Sequence, residues 1–149
     1  MIERLRLAIA ADLDQVPGLA AAFERWADQA GLSAREVNAA NLAIEELVVN
    51  VITHGLRGGP GTIMLMAQRE PSCLAIELRD GAPAFDPFQA DMPDLESGVE
   101  ARPVGGLGVH FVRTLMDCWS YTREGNENVV RLLKTLNEAA PRKEDDELG

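Results

Sequence analysis

The chain has 149 residues, enough for one domain with a sizeable core, and 46% of them are apolar with charges scattered throughout, which excludes a disordered chain. Fourteen basic against 24 acidic residues give a formal charge of −10, which excludes general nucleic-acid binding, because that needs a basic footprint. No apolar run approaches the roughly 20 residues of a membrane helix, and the start, MIERLRLAIAADLD, is a poor signal peptide, so a cytoplasmic protein without membrane attachment is expected.

In chain order, Leu5, Leu7 and Ile9 alternate with Arg4 and Arg6, which predicts an edge-like first strand. Val16, Leu19, Ala22, Phe23, Trp26, Ala27 and Ala30 follow at helical spacing, and Gly31 ends that helix. Ser33-Ala34-Arg35-Glu36 is a capping box that opens a second helix, expected from about Ala34 to His54 with Gly55 as its stop. After the turn cluster RGGPG come two strands, TIMLMAQ and CLAIELRD, joined by the short link REPS, a hairpin pattern. The next stretch, 81–106, holds four prolines and loses all periodicity, as functional or mobile loops do. A short helix is expected from about Leu107 to Met116. Two more strands, near Trp119–Arg123 and Val129–Leu136, are joined by EGNE.

This order predicts an α/β two-layer sandwich: a mixed, largely antiparallel sheet covered on one face by about three helices. Residues 1–140 are expected to form one domain, and the last residues, 141–149, an acidic, solvated tail. Cys73 and Cys118 lack any metal-ligand spacing and are read as buried reduced thiols. Trp26 and Trp119 are read as core residues, and His110 as a packing or surface residue.

Three polar islands interrupt this pattern. In EELVVNVITHG, residues 45–55, Glu46, Asn50 and His54 fall four apart and stack along one line of an otherwise apolar helix. Such a line is either a half-exposed solvating stripe or a functional one, because an acid there is costly to desolvate unless paired or used. Glu45 falls on a different side from Glu46. The second island is Asp80-Gly81-Ala82-Pro83-Ala84-Phe85-Asp86-Pro87, at the end of an apolar strand. It reads as an ordinary Asp-Gly turn or as a carboxylate that accepts from a ligand amine. The third is Gly105-Gly106-Leu107-Gly108, where the long loop meets a helix. Free amides without side chains suit a phosphate there, although glycines also simply end loops. Neither a P-loop nor a dinucleotide-binding fingerprint fits the spacing and context.

Taken in this order, EELVVNVITHG, DGAPAFDP and VGGLGVHFVRTLMD resemble the GHKL ATPases with their Bergerat nucleotide fold. The likeness is greatest to the single-domain anti-sigma-factor serine/threonine kinases of bacteria, and it spans about residues 4–137. The resemblance implies Glu46 as general base toward the attacking hydroxyl and Asn50 as ligand of a Mg²⁺ that bridges the ATP phosphates. It implies Asp80 as acceptor of the adenine amino group, with Gly81 and Ala82 beside the purine, and Gly105, Gly106, Leu107 and Gly108 as the phosphate cradle. The segment from about Gln89 to Pro103 matches the family's ATP lid. Arg102 within it is either a phosphate contact or a solvated side chain. His54 matches the His-Gly end of the helix motif and takes a structural role. The chain departs from the pattern at one place: the family has glycine two residues after the aspartate, and this chain has Ala82. A methyl there either weakens purine binding or is absorbed by a shifted turn.

The resemblance implies a kinase that phosphorylates a STAS-type anti-anti-sigma protein and sequesters a sigma factor, with ATP and Mg²⁺ as cofactors. It also makes a homodimer plausible. The alternative is a nucleotide-dependent binding module in which no phosphate moves. A histidine kinase's catalytic domain living alone is a weaker reading, because no phosphoacceptor helix is seen.

Overall fold

The computed structural model describes residues 3–88 and 106–136. Strand β1 (Glu3–Ala10) leads through a short 3₁₀ turn, Leu13–Gln15, into helix α1 (Val16–Gln29), and Gly31, at φ +86°, ends that helix region. Helix α2 (Ala34–Asn50) opens with the predicted capping box: Glu36 N–H donates to Ser33 Oγ (3.1 Å) and Ser33 N–H to Glu36 Oε1 (2.9 Å). Strands β2 (Thr62–Arg69) and β3 (Cys73–Asp80) form the expected hairpin. Helix α3 (Gly106–Leu115) precedes β4 (Cys118–Glu124) and β5 (Glu127–Thr135), joined at a tight turn where Gly125 takes φ +59°.

The five strands lie in the order β1-β2-β3-β5-β4, and every pairing is antiparallel. The sheet is therefore antiparallel throughout, within the predicted two-layer sandwich. The three helices cover one face. Alternation selects what meets them: Ile63, Leu65 and Ala67 on β2, Leu74, Ile76 and Leu78 on β3, and Val130 and Leu132 on β5 are all buried. Phe23 and Ala27 of α1, Ile44 and Val48 of α2 and Val112 of α3 complete one core. The opposite parity, including Arg4, Arg6, Met66, Glu77, Arg79 and Arg131, lies on the uncovered face, where Arg79 and Arg131 pair with Glu77 and Glu124.

Several expectations are corrected here. The second helix keeps α geometry only to Asn50. Residues Val51–Gly55 form a π-helical turn, closed by Leu56 N–H donating to Val51 C=O at 2.7 Å. Thr53 Oγ donates to the Val49 carbonyl within this turn (2.7 Å). His54, within this turn, is exposed. Both cysteines are free, as expected, but neither is buried: Cys73 is half-buried and Cys118 exposed. Cys118 shares its parity with Ser120 and Thr122, on the uncovered face of an edge strand. Trp119 has the core-side parity but sits at the start of that edge strand and stays 37% exposed, against Phe88 (ring centroids 6.4 Å apart). Trp26 is half-buried beside Phe23, not fully in the core. The tail 141–149, the lid segment 89–103 with Arg102, and Gly105 lie outside the described residues.

Candidate functional site

Two strand stripes that are otherwise apolar end in polar residues. On β3 the core-facing series Leu74, Ile76, Leu78 continues to Asp80, which is 6% exposed. On β5 the series Leu132, Val130 runs back to Asn128, which is 3% exposed. The register places Asp80 directly opposite Asn128. Over this end of the sheet lies the last α-helical turn of α2. A cavity of about 20 Å³ is lined by Asn50, Gly55, Asp80, Ala82, Phe85 and Asn128, among others.

Asp80 is held on one side only. Its Oδ1 accepts from Ala82 N–H (2.9 Å) and from Asn128 Nδ2 (3.0 Å). Among the described residues nothing donates to Oδ2, which remains an open acceptor. The residue therefore is an Asp-turn by its bonding, and its second oxygen is left to serve a donor from elsewhere.

Asn50 is the second unfinished group. It is 5% exposed, yet its amide has no hydrogen-bond partner among the described residues. Neither polar atom of the amide is sealed from solvent, so both remain open to a hydrogen-bonding or coordinating group from outside the protein. Glu46 stands one α-turn before Asn50 on the same line. It is half-buried, makes no described hydrogen bond and does not line the cavity. Its sequence neighbour Glu45 has its pKa raised, first by partial burial and then by the charge of Glu46.

Ala82 is 1% exposed and occupies the place where the resemblance calls for glycine. A Cβ built on Gly55 would come within 3.2 Å of the Ala82 Cβ, so the Ala82 methyl is seated in the space that Gly55 leaves. Gly81 is exposed and lies off the cavity. Gly106, Leu107 and Gly108 form the first turn of α3, which packs against α2. The first amides of that turn have no intrahelical acceptor, as at any helix start.

The donor set fits a nucleotide: an acceptor for a base amine, an unpartnered amide and a glycine-rich helix start on the neighbouring helix. It also fits Mg²⁺, which keeps several waters and needs few protein ligands beside phosphate oxygens. Asn50 would supply one such oxygen, and no cluster of three His, Cys, Asp or Glu side chains exists among the described residues. The cavity, with Phe85 and Pro87 among its walls, has room for about one water, so a base needs it to widen. A much larger hollow, about 930 Å³, runs across the uncovered face of the sheet past Arg6, Met66, Glu77 and Ser120, and none of the predicted site residues line it.

Sequence reasoning passed over Asn128, Tyr121, Arg123 and the fit of Ala82 to Gly55. A signal for Asn128 was present: in ENVVRLL it shares parity with two buried apolar residues, as a polar residue does when it is held for a purpose.

Comparisons with known proteins give the family and the fold. Residues 9–134 match the family described as histidine kinase-like ATPase domain. The serine/threonine-protein kinase BtrW of Bordetella bronchiseptica is 28% identical over 110 residues, covering 73% of each chain. The serine-protein kinase RsbW of Bacillus thuringiensis is 24% identical over 119 residues, 77% of this chain and 74% of that one. Among solved structures, that of the RsbU and RsbW domains of Rv1364c from Mycobacterium tuberculosis superposes with a TM-score of 0.60 at 12% identity, over 89% of this chain and 32% of that longer one. The histidine kinase domain of the Erythrobacter litoralis EL346 blue-light activated histidine kinase gives a TM-score of 0.52 at 14% identity, over 85% and 62%. With a five-stranded antiparallel sheet, three helices on one face and a family match that takes in both Asn50 and Asp80, this chain belongs to the histidine kinase-like ATPase domain family.

Proposed function

We propose that this chain is an anti-sigma regulatory factor: a protein serine/threonine kinase that transfers the γ-phosphate of ATP to a STAS-type anti-anti-sigma protein and sequesters a sigma factor. The observation that carries the reading is the convergence on one cavity of an Asn50 amide and an Asp80 carboxylate oxygen that have no hydrogen-bond partner among the described residues. The names of the relatives, serine(/threonine)-protein kinases, support the reaction class.

In this reading Asp80 Oδ2 accepts from the adenine amine. Asn50 would hold Mg²⁺, which neutralises charge on the transferred phosphoryl group. The amides at Gly105–Gly108 cradle the phosphates. Glu46 takes the proton from the substrate serine hydroxyl as its oxygen bonds to the γ-phosphorus. The bond from that phosphorus to the bridging oxygen breaks, and ADP leaves.

A radiolabel assay with Mg-ATP and a STAS-domain substrate tests it. Label on a serine of the substrate, lost with Glu46→Ala, is the expected result; a wild-type rate equal to that variant removes the kinase claim. One observation favours a second reading, a nucleotide-dependent binding switch without turnover: Glu46 does not line the cavity that Asp80 and Asn50 share. Tight ATP binding with no transfer and an unchanged rate in Glu46→Ala would select it.

A further inference from the structure

We infer that Asn128 is a positioning residue that sets base selectivity by fixing the Asp80 carboxylate, a role that rests on the nucleotide reading of the site. Asn128 uses its whole hydrogen-bonding capacity on the protein. Its Nδ2 donates to Asp80 Oδ1 (3.0 Å), Pro83 C=O (3.1 Å) and Ala82 C=O (3.2 Å). Its Oδ1 accepts from Tyr121 Oη (2.6 Å), Arg123 Nη1 (3.1 Å) and Phe85 N–H (3.2 Å). Arg123 also donates to the Ala82 carbonyl (2.7 Å), which ties β4 to the same turn.

The arrangement allows one orientation of the amide. Three acceptors surround its nitrogen and three donors surround its oxygen, so a flip would set oxygen against a carboxylate and two carbonyls. Asn128 therefore joins β3, β5, β4 and the 82–85 turn through one side chain. Its effect on Asp80 is specific. With Oδ1 occupied by Asn128 and by Ala82 N–H, the carboxylate cannot rotate without breaking buried bonds, and the oxygen left over accepts only. A ligand at that oxygen must bring an N–H. A base with an amino group meets this demand, and one with a carbonyl in its place is repelled.

The experiment measures calorimetric affinities of the full chain for Mg-ATP and for Mg-ITP, whose base carries a carbonyl where adenine has its amine. Wild type is expected to prefer ATP. Asn128→Asp keeps the shape but turns an acceptor toward three acceptors. It should weaken ATP binding about tenfold or more and bring the ATP/ITP ratio toward one, with ITP affinity little changed. Tyr121→Phe removes one donor to Oδ1 on a half-buried edge residue, and should lower the same ratio about threefold. If Asn128→Asp fails to fold by circular dichroism, Tyr121→Phe decides. A folded variant with the wild-type ratio overturns the role of Asn128 while the nucleotide site stands. A wild type with no preference for ATP, unchanged in Asp80→Asn, overturns the nucleotide reading and this inference together.

Discussion

The Ala82 methyl sits where a side chain on Gly55 would stand: the Cβ–Cβ separation would be 3.2 Å. The two positions are thus complementary, and the extra carbon at 82 is absorbed by the missing one at the end of the π turn. Gly55→Ala should destabilise the chain by about 1 kcal/mol through overpacking of a buried contact. Adding Ala82→Gly to that variant should recover most of the loss. Denaturant melts of both single variants and the double variant check this as a cycle. Simple additivity of the two effects would mean the residues are not in contact.

Asp80→Asn replaces the open acceptor at the end of β3 with an amide that can turn a donor toward the base. ATP affinity should fall about tenfold or more, the usual cost of losing a hydrogen bond to a charged group. Calorimetric titration measures it. The melting temperature reports whether the Asn128 bond to residue 80 survives, and a shift of only a few degrees is expected.

Glu46 and Asn50 should separate chemistry from binding. Glu46→Gln is expected to slow phosphoryl transfer by about 10²–10⁴-fold and to leave the ATP dissociation constant nearly unchanged. Asn50→Ala should instead abolish the difference between ATP affinities with and without Mg²⁺. Single-turnover rates and titrations in the presence of a chelator distinguish the two. Equal effects on both quantities from both variants would contradict the separate roles.

Glu45 gives a pH-dependent prediction. Its pKa is raised above 4.5 in the folded chain by partial burial, with Glu46 adding to it. The folded state therefore binds this proton more tightly than the unfolded state. Stability from this residue is greatest below pH 4.5 and is lost as pH rises through the folded pKa. Glu45→Gln should melt higher than wild type at pH 7, and the gap should close as pH falls to about 4. A gap that is constant with pH would remove the assignment.

Ser33→Ala removes one half of the capping box that starts the site-bearing helix. A loss of about 1 kcal/mol is expected, seen as a fall of about 3 °C in melting temperature. Glycine at 33 should cost less, because a glycine cap lets water reach the free amides.

Much of this was legible from local rules. TIMLMAQ and CLAIELRD, joined by a short polar link, gave both strands of the hairpin, and the capping box placed the start of α2. Asn50, Asp80 and Ala82 were each chosen from sequence, and they meet at one cavity. What escaped depended on contacts remote in sequence. The π turn follows from hydrogen bonding around Thr53 and Leu56, which a uniform helical period does not anticipate. Trp119 was read as core for its size and apolar ring, but it lies at the start of an edge strand, a position that only strand pairing reveals. Asn128 lies 48 residues from the aspartate it holds, so its purpose appears only once β3 and β5 are paired.

That separation has a consequence for synthesis. A ribosome makes β1 first, but its sole sheet partner is β2, which arrives only after both long helices. The central strand β3 waits nearly as long for β5, the last of the described strands to be translated. Domains emerge at about 5–20 residues per second, so Asp80 is made seconds before the side chain that clamps it. A nascent chain halted before residue 128 would carry the carboxylate with only the Ala82 amide to hold it, and the clamp is completed by β5.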